Sequence, residues 1–338
     1  MLIAVFLAVV VLSATSAEVW RRWALHRGVV DQPGARSSHV IPTPRGSGIG
    51  IVLGLLPGMA LLMPASAGRD AAMLAIALVA LVGLIDDLRP LPPFVKLAGQ
   101  AIAALPLALQ MPWPLLPALG LPSVVEEALA HGLAFAFALL AVNAWNFMDG
   151  INGIAAMAAL AVAAVVLLVP DAGPVDGAAL ALAAACLGFL PLNFPRARVF
   201  MGDCGSHALG MAIAALVLFP SAGIAGAAGA ATLAALAAAS PFLIDVLGTL
   251  VRRALDRERL TQAHRRHLYQ VATRSGYSHA VVTGAYGAWT VASGGCVVVA
   301  SAFDAGGAVL PLVLAVNAGL WWAVSRHFEG RGRREGKG

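Results

Sequence analysis

Charge is what this chain lacks most. Only 12% of its 338 residues are Asp, Glu, Lys or Arg, about half of the roughly 25% usual in soluble domains. That excludes a fully water-solvated globule. Cysteine is scarce as well: Cys186, Cys204 and Cys296 show no CxxC spacing. A disulfide framework or a cysteine-built zinc site is therefore excluded, and the three read as small buried hydrophobes. There are no ten-residue alternating segments, which excludes a membrane β-barrel. No repeat of 20–50 residues and no separate soluble domain is visible. Basic residues are missing ahead of the first apolar run, so residues 2–19 read as an uncleaved span rather than a signal peptide. The run Gly46-Ser-Gly-Ile-Gly50 follows no strand, which removes a dinucleotide loop and leaves close helix packing.

What is present is apolar: 60% of residues are hydrophobic. Only helices or closed barrels satisfy their backbone inside a bilayer, and a spanning helix needs about 20 apolar residues. Spans are expected near 2–19, 47–66, 71–85, 96–111, 127–145, 151–169, 177–192, 207–221, 225–250, 280–301 and 306–325. The sequence thus predicts an all-α polytopic bundle of about eleven transmembrane helices. The outer end of 96–111 is expected to be irregular, because Pro106, Pro112, Pro114 and Pro117 crowd it. Residues 1–326 form one membrane-embedded domain, and 327–338 a short basic cytoplasmic tail, Gly-rich and expected to be disordered.

The few charges are sorted. With the N-terminus periplasmic and the C-terminus cytoplasmic, Arg69 is the one Lys or Arg among 22 outside the cytoplasmic loops and their edges. Basic inner loops are the ordinary orientation signal. A formal charge of +5 placed beside spans suits anionic lipid and phosphate rather than nucleic acid.

Nearly all residues with chemical potential fall on that same face. Asp86 and Asp87 close the third span. A solvated loop would hold such a pair harmlessly; at headgroup depth it calls for a metal, a cation or a proton. Lys96, nine residues past Asp87, suits either an interfacial snorkel or a phosphate ligand. Asn143, Asn146, Asp149 and Asn152 recur every three residues, as one helix face would place them. Such oxygen-bearing side chains suit a hard cation or a polar ligand. Asp203 stands between glycines in Phe200-Met-Gly-Asp-Cys-Gly-Ser206, ahead of a span, where it suits an anionic helix start or a Mg²⁺ ligand. His264 and His267 bracket Arg265 and Arg266. Zinc would need further ligands at standard spacing, whereas arginines suit a pyrophosphate.

These runs together resemble the polyprenyl-phosphate N-acetylhexosamine-1-phosphate transferases, glycosyltransferase family 4. The resemblance rests on Asp31-Gln-Pro, Arg36-Ser-Ser-His39 and Pro42-Thr-Pro-Arg45-Gly; on Ile85-Asp-Asp-Leu88 with Lys96-Leu; on Asn143 to Gly153; on Phe200 to Ser206; and on His264-Arg-Arg-His-Leu-Tyr-Gln270. The last run looks most like the O-antigen initiating branch. The resemblance implies transfer of a sugar-1-phosphate from a UDP-linked N-acetylated sugar to undecaprenyl phosphate, with Mg²⁺ or Mn²⁺, at a bacterial inner membrane. The products would be the undecaprenyl-diphosphate-sugar and UMP. It further implies Asp203 and Asn146 as metal ligands, and Asp86, Asp87 and Asp149 as catalytic, the pair organising or deprotonating the lipid phosphate and Asp149 shaping the donor site. Lys96 would contact phosphate and Phe200 would stack on uracil. His264 and Arg265 would hold the donor's pyrophosphate or sugar. Arg45, Asn143, Asn152 and His267 complete the implied substrate-binding set. Asn152 stands where many relatives carry Asp, and Ser47 where many carry Gly. His264 to His267 is shorter than the His run of the muramyl-pentapeptide branch. A homodimer is left open. The alternatives are a lipid-linked sugar transporter or flippase, a phospho-N-acetylmuramoyl-pentapeptide transferase and a CDP-alcohol phosphotransferase.

Overall fold

A computed structural model of the chain describes residues 1–32, 42–113, 122–219, 226–259, 262 and 264–335, with the side chains of 227, 228 and 329–335 left out. The expected motif Arg36 to His39 lies outside the described residues. Eleven long helices appear among the described residues, one at each expected span. In chain order they are α1 (Leu2–Arg27), α2 (Ile49–Leu62), α3 (Ala67–Leu88), α4 (Pro93–Gln110), α5 (Ser123–Met148), α6 (Ile154–Val166), α7 (Pro174–Asn193), α8 (Gly202–Leu218), α9 (Gly226–Leu255), α11 (His279–Ser301) and α12 (Gly306–Glu335). A seven-residue helix, α10 (Leu268–Arg274), and a two-stranded antiparallel pair, β1 (Val30–Asp31) with β2 (Thr43–Pro44), complete the set.

This is a polytopic helical membrane protein. Seven of the described helices are long and apolar enough to cross a bilayer unaided. The shorter α2, α6 and α8, of 14, 13 and 17 residues, are apolar too. Protein surrounds α6 and α8 instead of lipid: nearly every residue of both is buried. Helix α8 is the centre of the bundle, packed by α3, α5, α9, α2, α6 and α7. With Ala and Gly at most contacts, the helices approach closely. A Cβ on Gly48 would strike the Cα of Gly205, and one on Gly83 would strike the Asp203 carbonyl.

Three boundaries differ from the sequence expectation. Ser66 caps α3, its hydroxyl accepting from the Arg69 N–H at 3.1 Å, and the helix then runs to Leu88. Asp86 and Asp87 are therefore within its last turn, past the expected span end at residue 85. Helix α4 continues through Pro106 to Gln110, since one missing N–H leaves the rest of the ladder intact; Pro114 and Pro117 lie outside the described residues. Helix α12 passes residue 326 and continues to Glu335, so the expected tail begins as helix rather than disordered chain.

Candidate active site

The ends of α3, α5 and α8 meet at one end of the bundle, and each contributes a carboxylate or an amide. Asp87 is 3% exposed. Its two oxygens accept the backbone N–H groups of Asp203 and Cys204, each at 3.0 Å. It thereby caps the N-terminus of α8 from another helix, where the unpaired amides and the dipole favour an anion. The C-terminus of α3 is closed in turn by Arg45, whose Nε and Nη2 donate to the Asp87 carbonyl at 3.1 and 2.8 Å. Arg45 is held by Trp20, whose indole N–H donates to the Arg45 carbonyl at 2.9 Å. Next to it, the Phe200 N–H donates to the Pro44 carbonyl at 2.7 Å.

The first turn of α8 carries Asp203, and two side chains fix it. Lys96 Nζ lies 2.6 Å from Asp203 Oδ2 and 3.3 Å from Asp86 Oδ2. Asn146 Nδ2 donates to Asp203 Oδ1 at 2.9 Å and to Ser206 Oγ at 3.1 Å. Asp86 is further tied by the Leu91 N–H at 2.8 Å. A cavity of about 290 Å³ opens in front of this cluster, lined among others by Asp31, Arg45, Asp87, Asn146, Asp149, Asn152, Phe200 and Asp203. Asp149 follows α5 immediately. Burial, reinforced by the charges of Asp203 and Asp87, pushes its carboxyl up to about 8.

The expected three-residue phase of Asn143, Asn146, Asp149 and Asn152 stops after its second member. Helix α5 ends at Met148, and Gly153 adopts a left-handed conformation ahead of α6. Asn146, Asp149 and Asn152 still reach the cavity, but from a helix end and a turn rather than one helical face. Asn152 Nδ2 donates to the Pro195 carbonyl at 3.0 Å. Asn143 is turned behind the site, donating to Gln100 Oε1 at 2.9 Å and to the Leu139 carbonyl at 2.8 Å. Gln100 continues to His207 Nε2 at 3.1 Å, and that nitrogen is 3.7 Å from Asp203 Oδ2.

His264, Arg265 and His267 are not among the residues that line the cavity. His267 is buried and caps α10, with its ring 4.8 Å from that of His264 between centroids. Burial, with His267 and Arg253 close by, pushes the His264 imidazole down to about 4. Arg266 pairs with Asp256 at 2.7 Å and with Glu258. The loop meets the site through Tyr269, whose hydroxyl donates to the Phe147 carbonyl at 2.9 Å. Among the described residues, no three His, Cys, Asp or Glu side chains group as a metal cage, so the zinc reading of the two histidines gains no third ligand.

Sequence reasoning missed Gln100, Ser206, His207 and Tyr269. Helical spacing held a signal for three of them. Gln100 follows Lys96 by four residues, and Ser206 and His207 follow Asp203 by three and four, so each shares its partner's face.

Residues 71–221, which carry Asp86, Asp87, Lys96, Asn146, Asp149 and Asp203, match the family model for glycosyl transferase family 4. The chain is also 33% identical over 293 residues to the decaprenyl-phosphate N-acetylglucosaminephosphotransferase of Mycobacterium tuberculosis, covering 77% of this chain and 72% of the relative. The chain belongs to glycosyl transferase family 4. Within the family it is similar to the probable undecaprenyl-phosphate N-acetylglucosaminyl 1-phosphate transferase of Bacillus subtilis, at 27% identity over 273 residues, 77% of this chain and 74% of that one. It is also similar to the phospho-N-acetylmuramoyl-pentapeptide-transferase of Moorella thermoacetica, at 36% over 198 residues, 52% of this chain and 61% of the relative.

Proposed function

We propose that this family member transfers a sugar-1-phosphate from a UDP-linked N-acetylhexosamine to a polyprenyl phosphate, undecaprenyl phosphate in particular. The observation that carries the reading is the placement of Asp203. Lys96 and Asn146 hold it at the mouth of a small polar cavity, at one end of an otherwise apolar bundle. An amphiphilic acceptor fits that arrangement, with its tail in lipid and its phosphate at the bundle end. The relatives' names favour N-acetylglucosamine as the sugar. The reaction would begin assembly of a cell-surface polysaccharide, O-antigen being the branch suggested by the His264 to Gln270 run.

In the proposed step an oxygen of the lipid phosphate attacks the β-phosphorus of the UDP-sugar. The bond from that phosphorus to the bridging oxygen breaks, and UMP leaves with the electron pair. The nucleophile is largely ionised at neutral pH, since a phosphate monoester has its second pKa near about 6. Little proton abstraction is needed, and the difficulty is bringing two anions together. Lys96 supplies positive charge beside Asp203, and Arg45 lines the same cavity. Phe200 offers a ring at the cavity wall for a base to stack on.

The donor set fits a hard divalent ion. Asp203, Asp149 and Asn146 line one small cavity and bring carboxylate and amide oxygens to it. Mg²⁺ typically takes one or two carboxylates and completes its shell with water and phosphate oxygens. Asp203 and Asp149 would hold it, and Asn146 would join them with its amide turned. Such an ion would neutralise charge on the transferred phosphate. With the basic loops at this end, the site faces the cytoplasm and the protein sits in the bacterial inner membrane.

The test is UMP release from a panel of UDP-N-acetylhexosamines with undecaprenyl phosphate and Mg²⁺. Turnover with UDP-N-acetylglucosamine, abolished by EDTA and by Asp203→Ala in folded protein, is the expected result. Folded wild type inactive across the panel would overturn the proposal. Turnover confined to UDP-N-acetylmuramoyl-pentapeptide would support the second reading, which the similarity to the Moorella protein favours.

A further inference from the structure

Away from the cavity, one buried carboxylate ties four helices together. Asp245 on α9 is fully buried. Its Oδ1 accepts the Leu268 N–H at 2.9 Å and the Trp321 indole N–H at 3.0 Å, and its Oδ2 accepts the Tyr286 hydroxyl at 2.7 Å. Thr249 adds a contact at 3.3 Å, and His267 Nδ1 stands 3.8 Å from Oδ1. A buried carboxylate is costly unless donors satisfy its oxygens. Here the donors come from α10, α11, α12 and α9 itself, so Asp245 fixes the start of α10 against the bundle.

The consequence reaches the cavity through α10. Leu268 is the first residue of that helix and Tyr269 the second. Tyr269 is 1% exposed, and its hydroxyl donates to the Phe147 carbonyl at 2.9 Å. The same hydroxyl occupies the space that a Cβ on Gly150 would need. Between Phe147 and Gly150 lies Asp149. The turn carrying this cavity carboxylate therefore rests directly on Tyr269.

We propose that Asp245 is a positioning residue for the transferase site. It holds the α10 start so that Tyr269 latches the turn at residues 147–150 and sets Asp149 toward Asp203. The inference rests on the transferase reading for its kinetic consequence but not for its structural one. Asp245 touches neither substrate nor Asp149. It acts through Leu268 and Tyr269.

The experiment combines hydrogen exchange with kinetics on the full-length protein in detergent or nanodiscs. In Asp245→Ala, amides of residues 268–271 should exchange at least tenfold faster. Amides of residues 149–153 should also accelerate, although Asp245 makes no hydrogen bond to them. Tyr269→Phe, which removes only the hydroxyl, should accelerate 149–153 and leave 268–271 protected. In the transferase assay both variants should lower kcat by tenfold or more with the KM for the lipid acceptor unchanged. The double variant should be no worse than the weaker single, since residues acting through one link are not additive. Asp245→Asn keeps an acceptor for Leu268 and should restore most of the turnover. Unchanged exchange at 149–153 in Asp245→Ala, or losses that multiply in the double variant, would overturn the latch. Should Asp245→Ala fail to fold, the same comparison between Asp245→Asn and Tyr269→Phe decides it. A wild type inactive on every donor would remove the transferase reading while the exchange data still judged the latch.

Discussion

Removing the Asp87 carboxylate separates a structural role from a chemical one. In Asp87→Ala, the N–H groups of Asp203 and Cys204 each lose an acceptor at 3.0 Å in a site that is 3% exposed. A buried donor left unpaired costs about 1–3 kcal/mol, and loss of a helix N-cap costs about 0.5–2 kcal/mol. These overlap, because the cap is the pair of bonds. A destabilisation of about 2–4 kcal/mol follows, with water or the α8 turn recovering part of the loss. Asp87→Asn keeps one acceptor and should lose about half as much. Thermal unfolding in detergent measures the stability, and UMP release measures the consequence for Asp203, which rides on the turn that Asp87 caps. The expected order in both assays is wild type, then Asn, then Ala. If Asp87→Ala melted within about 0.5 kcal/mol of wild type, the noise of a surface substitution, while turnover vanished, the capping argument would fail. The carboxylate would then act on substrate.

Other consequences are simpler to check. Gly83→Ala places a methyl against the Asp203 carbonyl. Overpacking of this kind costs about 1–3 kcal/mol and should lower both melting temperature and turnover; a wild-type profile would show that α3 and α8 separate freely. His264 sits at about 4, below the ordinary 6.5. Below pH 6.5 the unfolded chain takes up a proton that the folded chain refuses, so this residue's contribution to stability declines from pH 6.5 through 4 and is constant above that window. His264→Gln should flatten that acid limb, and an unchanged pH–stability curve would contradict the burial of the ring. Lys96→Met leaves Asp86 and Asp203 without their shared cation. Turnover should fall at least a hundredfold while Lys96→Arg retains a measurable part, and equal activities would remove Lys96 from the site.

The bundle was legible in the sequence because a bilayer leaves helices few alternatives, and each of the eleven expected spans has a helix. The ends were less legible. A hydropathy reading stops where charge begins, so it ended the third span at residue 85, although the capped helix runs on through Asp86 and Asp87 to Leu88. Asp203 was assigned to a pre-helical position for the same reason, and it lies in the first turn of α8. The periodicity of Asn143 to Asn152 could not announce that α5 stops at Met148. Spacing is blind to a turn that happens to keep a polar residue every third position. Asp245 was invisible for a different reason. A lone acid in an apolar run says nothing of its partners, and those on α10, α11 and α12 lie 23, 41 and 76 residues away in sequence. The resemblance named residues around the cavity, but Asn143 turns to Gln100 behind it and His264 and His267 are outside its lining.

The most direct test of the central claim follows the β-phosphate of the donor. UDP-N-acetylglucosamine labelled at that phosphorus is incubated with the protein, undecaprenyl phosphate and Mg²⁺, and the lipid is extracted. Transfer of sugar-1-phosphate predicts that label and sugar enter the lipid in equal amounts while unlabelled UMP accumulates. Sugar appearing in the lipid with the label left behind in UDP would contradict it.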